Sequence, residues 1–240
     1  NTKSALFKKL PDNGIAFVNI DDKHIKGMLT DAKKITYSFK NKCDYRGEFN
    51  PDNSELIINK QKINLPISNW GMAQNSLAAF TIASNLGIDN KLIKERIESF
   101  TLPPGRNNII NHKNIIIIDD SYNANLASAK NGIELLMKFS NNRKIVIIGD
   151  MFELGDLSIN EHKKLGIFIS INKIDVLFTI GEFSKYIHKK VKTSAITLHF
   201  DSKIKLIAKI RTFVKSGDAI YVKGSRGMKM EEVINKGLIN

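Results

Sequence analysis

Four short segments of this 240-residue chain carry residue types that do chemistry. Arg106 follows Pro104-Gly105, and a guanidinium just after a glycine hinge presents a planar fork of donors to a phosphate. Asp119-Asp120-Ser121-Tyr122-Asn123-Ala124-Asn125 closes an apolar run with paired acids. A carboxylate there is costly unless it caps a helix, binds a ribose or holds a metal. The plainer reading, in which Asp120 and Ser121 cap the helix that follows, accounts for the same residues. Gly149-Asp150-Met151-Phe152-Glu153-Leu154-Gly155, with His162 seven residues on, has the composition of an acid–base or metal loop. It also fits a glycine-bounded structural or substrate-shaping loop, with Ser158 capping the helix that holds the histidine, and this reading is preferred. Lys223-Gly224-Ser225-Arg226-Gly227 offers successive backbone N–H groups and two cations to a carboxylate or phosphate. That pattern is common and weak on its own.

Several chemistries lack their signature. No G-x-x-x-x-G-K-[ST] string occurs, nor any Gly-Lys-Ser/Thr triplet, and no G-x-G-x-x-G follows the first strand of the second half. The five histidines are dispersed and the single cysteine, Cys43, has no metal-type neighbours.

The elements that position these loops follow from periodicity. From Asn114 onward, apolar runs at Asn114–Asp119, Lys144–Ile148, Asp175–Ile180, Ala195–His199 and Asp218–Val222 alternate with amphipathic helices. The helix after Asn125 has Leu126, Ala129, Ile133 and Leu136 on one face, and Met228–Lys236 reads as the last helix. Short strands alternating with helices imply right-handed crossovers and a parallel sheet, a Rossmann-like α/β layer fold. Ligands of such sheets meet the loops at the carboxyl ends of strands, here residues 119–125, 149–155, 181–184 and 223–227. The first hundred residues differ: strands at Gly14–Asp21, Lys34–Lys40, Glu55–Asn59 and Lys62–Leu65 suggest a mixed or antiparallel sheet, followed by helices over Ala73–Leu86 and Asn90–Ser99. Pro103-Pro104-Gly105 breaks the chain, and the domain boundary is expected there, giving domains 1–103 and 104–240.

Composition sets the remaining bounds. The chain is 42% apolar and 25% charged, an ordinary globular balance. Its net charge of +13 comes from lysines scattered along the whole length, with no aromatic residues interleaved as base stacking needs. Nucleic acid is therefore not the expected partner. No apolar run reaches the ~20 residues of a membrane span, no signal-peptide pattern is present, and a lone cysteine suits a reducing cytoplasm.

In order and spacing these segments resemble the Mur ligases of peptidoglycan synthesis, over nearly the whole chain. Pro104-Gly105-Arg106, Asp119–Asn125, Gly149–Gly155 with Ser158 and His162, and Lys223-Gly224-Ser225-Arg226 with Met230-Glu231-Glu232-Val233 carry the likeness. Leu10-Pro11-Asp12-Asn13-Gly14 and Asn75-Ser76-Leu77-Ala78-Ala79 extend it upstream. The strings at 120–125 and 149–155 look like the branch that adds D-Ala-D-Ala to UDP-N-acetylmuramoyl-tripeptide. The resemblance implies a C-terminal Rossmann-like domain preceded by the C-terminal part of a P-loop-type central domain. It implies ATP and Mg2+, an acyl-phosphate intermediate, and the tripeptide and D-Ala-D-Ala as substrates. By position, Arg106 would meet the ATP phosphates, Asp120 the ribose and Asn75 the adenine. Lys3 matches a lysine that relatives carbamylate to ligate magnesium. Tyr122, Asn123, Asn125, Lys223, Ser225 and Arg226 would face the dipeptide or the acyl phosphate. One segment departs from the pattern: Asn69-Trp70-Gly71-Met72 stands where the family has Gly-x-His-Asn, which removes two polar adenine-pocket residues. Because the phosphate loop is not in it, the chain reads as the back half of such an enzyme, expected to be inactive alone. A non-catalytic or decayed Mur-like binding module is the alternative.

Overall fold

The computed structural model of the chain describes residues 2–191 and 195–239 and divides it into two compact units, Asn1–Thr101 and Leu102–Asn240. In unit 1, helix α1 (Thr2–Lys8), strand β1 (Ile15–Asn19), helix α2 (Lys23–Lys26) and strands β2 (Lys33–Ser38), β3 (Tyr45–Asn50), β4 (Glu55–Ile58) and β5 (Gln61–Asn64) precede helices α3 (Trp70–Asn85) and α4 (Asn90–Glu98). Strand order follows chain order, with β1, β2 and β3 parallel and β3, β4 and β5 antiparallel. The sheet is thus mixed, as the sequence indicates. Strand β3 escapes sequence reading because Tyr-Arg-Gly-Glu-Phe-Asn has neither a clean alternation nor an apolar run. Its Gly47 is required by packing: a Cβ there would stand 2.8 Å from the Phe39 ring and 2.9 Å from Leu77. Leu56, Ile58 and Ile63 from the sheet bury against Leu77 and Phe80 of α3 and Ile93 and Ile97 of α4, and Asn69 and Asp89 cap those two helices.

Unit 2 contains strands β6 (Asn108–His112) and β7 (Ile115–Asp120), helix α5 (Leu126–Met137), strand β8 (Arg143–Ile148), helix α6 (Ser158–Ile171) and strand β9 (Val176–Ile180). Helix α7 (Lys185–Lys190), strand β10 (Ile196–Phe200), helix α8 (Lys203–Phe213), strand β11 (Asp218–Lys223) and the short helix α9 (Glu231–Val233) complete it. The sheet order is β10-β9-β8-β11-β7-β6, parallel except for β6, which pairs antiparallel with β7. The parallel Rossmann-like sheet is therefore present, with an antiparallel edge supplied by β6. That strand, Asn-Ile-Ile-Asn-His, is half exposed and too polar to read as a core strand.

The last strand in sequence, β11, lies between β7 and β8, and all six of its residues are buried. One face of the sheet packs Ile117, Ile147, Phe178 and Val222 against Leu206 and Ile210 of α8 and the C-terminal Val233, Ile234 and Leu238. Helix α5 covers β7, β8 and β11 on the other face. The final helix is not the single helix that periodicity suggests. Lys229 takes a left-handed conformation (φ 46°), α9 is one turn long, and Ile234–Ile239 continues in wider π-helical turns.

Candidate functional site

The insertion of β11 brings distant sequence together. Asp120, the last residue of β7, and Lys223, the last residue of β11, are register partners, while Ile148 at the end of β8 flanks Lys223 on its other side. The Lys223 ammonium donates to Asp120 Oδ2 and, at 2.8 Å, to the Asn123 carbonyl. Tyr221, two residues back on the same face of β11, donates its hydroxyl to the same carboxylate oxygen at 2.8 Å. All three side chains are buried, with Tyr221 and Lys223 at 0% and 1% exposure. Burial pushes the Asp120 carboxyl up and the Lys223 ammonium down, and the ion pair opposes both shifts. The Tyr221 phenol is pushed far above its ordinary range by burial and by the Asp120 charge.

The Tyr221 ring is admitted by Gly132 of α5, where a Cβ would stand 2.2 Å from the ring carbon bearing the hydroxyl. No motif in the sequence marks Gly132 or Tyr221. The i, i+2 spacing of Tyr221 and Lys223 was the only available signal that they share a face.

Asp120 is not a helix cap. Asn125 caps α5, its side chain accepting from Ser128 N while the Ser128 hydroxyl accepts from Asn125 N. The capping alternative for Asp120 and Ser121 is thereby replaced by the buried ion pair.

Arg106 projects at the same rim. Its guanidinium lies 4.4 Å over the Tyr122 ring, and its positive field is among the influences that lower the Lys223 pKa. The loop beneath is held by Gly105, whose φ of +74° and 3.0 Å Cβ approach to Tyr122 N leave no room for a side chain. Tyr122 N in turn donates to Gly105 O at 3.0 Å. Arg106 and Tyr122 are exposed, so a planar cation is preorganised on an aromatic face beside a buried acid–base pair.

Next to it, the 149–155 loop is a scaffold. Asp150 is buried and accepts from Phe183 N and Ser184 N at 3.1 and 2.7 Å. His162 donates Nδ1–H to Ser158 O at 2.6 Å and accepts Met151 N–H on Nε2 at 3.0 Å, which fixes the neutral tautomer. Burial holds its pKa below the ordinary value of 6.5. Ser158 does not cap α6; its hydroxyl donates to Gly155 O. The Ser225 hydroxyl accepts Phe152 N–H at 2.7 Å, tying the 223–227 loop to this one.

The predicted site residues therefore fall into groups. Asp120, Asn123 and Lys223 are in direct contact, and Arg106 stacks on Tyr122. Asn125 is engaged by Ser128 of the helix it caps, and the Ser225 hydroxyl by Phe152 N of the neighbouring loop. Arg226 is exposed and donates to Glu231 at 2.6 Å. In unit 1, Asn75 is exposed on α3. Trp70 packs edge-on against Phe39 and Phe49, and Met72 belongs to the core. Lys3 lies in α1 and its side chain is outside the described residues. Among the described residues no three His, Cys, Asp or Glu side chains converge as a metal group would, and no helix is long and apolar enough to cross a membrane.

Fold and site together give a parallel α/β sheet with an exposed arginine and a buried ion pair at one rim. The chain belongs to the Mur ligase family: the glutamate ligase domain of Mur ligases matches residues 105–226, and the Mur ligase middle domain matches residues 1–83. Among curated relatives, the UDP-N-acetylmuramoyl-tripeptide–D-alanyl-D-alanine ligase of Buchnera aphidicola (strain APS) is 30% identical over 97% of this chain and 53% of its own length. The enzyme of the same name from Haemophilus influenzae is 28% identical over the same shares. Among solved structures, one MurF crystal form from Acinetobacter baumannii aligns with a TM-score of 0.84 at 24% identity, over 97% of this chain and 53% of that one. The MurF ligase of Thermotoga maritima in complex with ADP aligns at 0.79 and 24% identity, over 98% and 55%. The chain spans about half the length of the curated relatives it matches.

Proposed function

We propose that this chain supplies the acceptor-side half of an ATP-dependent ligase that joins D-Ala-D-Ala to UDP-N-acetylmuramoyl-tripeptide. In that reaction the γ-phosphoryl group of ATP passes to the terminal carboxylate, giving an acyl phosphate and ADP. The dipeptide amine then attacks the acyl carbon, and the tetrahedral intermediate collapses to amide, phosphate and a proton. The observation that carries the reading is Arg106 stacked on exposed Tyr122 beside the Asp120–Lys223 pair. The names of the curated relatives support the same choice of substrates.

The residues divide the work by their freedom. Arg106 offers its fork of donors to the charge that develops on the transferring phosphoryl group, and stacking limits the rotamer entropy lost in doing so. Lys223 acts at one remove, holding Asp120 and the Asn123 carbonyl so that the 120–125 loop keeps one shape. Tyr122 and Arg226 remain exposed toward a ligand, and Asp120 is the group proposed to meet the ribose. Asn125 and Ser225 shape their loops. Magnesium, which the family resemblance implies, would be held in part by the substrate phosphates, and Lys3 is a proposed ligand only as its carbamate.

The test is phosphate release in the presence of ATP, UDP-N-acetylmuramoyl-tripeptide and D-Ala-D-Ala. The 240-residue chain alone is expected to be silent, since it contains no phosphate-loop motif. Addition of the N-terminal half of a D-Ala-D-Ala-adding relative is expected to restore dipeptide-dependent release, and failure to do so overturns the assignment. One observation favours a non-catalytic binding module: Gly71 and the core residue Met72 stand where the family pattern carries the polar adenine-pocket residues His and Asn. That reading predicts no calorimetric binding of ATP or D-Ala-D-Ala even with the added half present.

A further inference from the structure

At the amino ends of β7 and β11, opposite the rim that carries Asp120 and Lys223, unit 2 has an open cleft of about 480 Å³. Its floor is apolar: Ile115, Ile210 and Leu238 are buried, and Val214 is half-buried. Its walls carry exposed Lys113, Arg211 and Lys215. Among the described residues no acidic and no aromatic side chain lines it, and none of these three cations forms an ion pair. The nearest acid along the chain, Asp218, is fully buried, its two oxygens taken by Arg143 Nε and Nη2 at 2.8 and 2.7 Å and one of them also by Lys215 N at 2.9 Å.

Two details aim donors into this space. Arg211 Nε donates to the Lys236 carbonyl at 2.8 Å, which fixes the guanidinium plane while its terminal N–H groups stay open. The Ser216 hydroxyl oxygen accepts from Asn114 Nδ2 at 2.5 Å, so its own proton is left to donate. The volume falls within the ~300–1,000 Å³ range of small-molecule sites. Without an aromatic ring the cleft gives a nucleotide base nothing to stack on. Three like charges above a hydrocarbon floor complement a ligand with an anionic head and an apolar tail.

We propose that this cleft binds a small amphipathic anion, an acyl carboxylate whose chain lies on Ile115, Val214 and Leu238 and whose head meets Lys113, Arg211 and Lys215. The site is independent of the ligase reading. Six-residue strands separate it from the Asp120 rim by about 17 Å at ~3.3 Å per residue, so its occupant does not compete with groups bound there.

Decanoate, decanol and inorganic phosphate, each titrated into the 240-residue chain by calorimetry and amide NMR, test this directly. Decanoate is expected to bind one-to-one, to shift the amides of residues 113–116 and 210–216, and to weaken as salt rises. Decanol and phosphate should bind at least about tenfold more weakly. Lys113→Glu with Lys215→Glu should weaken decanoate by about tenfold or more with unchanged circular dichroism. Should that double reversal fail to fold, Lys113→Gln with Lys215→Gln carries the same expectation. The proposal is overturned by no decanoate binding at millimolar concentration, by decanol or phosphate binding as well as decanoate, or by shifts that the substitutions leave intact.

Discussion

One oxygen of the Asp120 carboxylate accepts from both the Lys223 ammonium and the Tyr221 hydroxyl, across a strand pair whose members are about a hundred residues apart in sequence. Each charge is buried and has the other as its main compensation. Removing one therefore differs in kind from removing both.

Lys223→Met leaves a buried carboxylate with Tyr221 as its remaining side-chain partner and is expected to destabilise unit 2 by about 3–5 kcal/mol. Asp120→Asn combined with Lys223→Met should be destabilised by much less than the sum of the single changes. Urea unfolding followed by circular dichroism measures this, with the fluorescence of Trp70, the single tryptophan, reporting unit 1 separately. Additive losses would show that the two groups are not coupled.

Gly132→Ala puts a methyl group into the Tyr221 ring and should destabilise unit 2 by about 3 kcal/mol. Tyr221→Leu in the same chain should recover part of that loss, because it vacates the space. A thermal midpoint for the double variant no higher than for Gly132→Ala alone would exclude the clash as the cause.

His162 sets a pH dependence. Its folded pKa lies below the unfolded value near 6.5, so the folded state binds fewer protons than the unfolded state between the two values. Its contribution to stability is complete above about pH 6.5 and is lost as pH falls through the lower folded value. His162→Gln should flatten that part of the stability profile. It should also cost about 1–3 kcal/mol at pH 8 if the Met151 N–H loses its acceptor. An unchanged slope between pH 7 and pH 5 would refute the assignment.

Arg106→Lys keeps the charge but loses the planar fork over Tyr122. In the complemented phosphate-release assay it is expected to lower kcat/KM by about tenfold or more, and Arg106→Ala by more still, roughly the loss of one or two charge-assisted hydrogen bonds. Both variants should unfold at the wild-type urea midpoint, because Arg106 is exposed. A stability loss in place of a kinetic one would assign Arg106 to folding.

The amino-acid order alone carries the α/β class, the strand–helix alternation of the second half and the four loops at the carboxyl ends of its strands, because periodicity and punctuation are local properties. It also carried the family, since the order of Gly105-Arg106, Asp119–Asn125, Gly149–Gly155 and Lys223–Arg226 is itself a sequence feature. Polar or glycine-bearing strands such as β3 and β6 were invisible, because backbone pairing rather than side-chain pattern makes them strands. The entry of β11 between β7 and β8 is a result of folding in three dimensions. That placement pairs Lys223 with Asp120 and seats Tyr221 against Gly132. Strand order arises from long-range packing and leaves no local trace in a single sequence, so roles that depend on it become legible only in three dimensions.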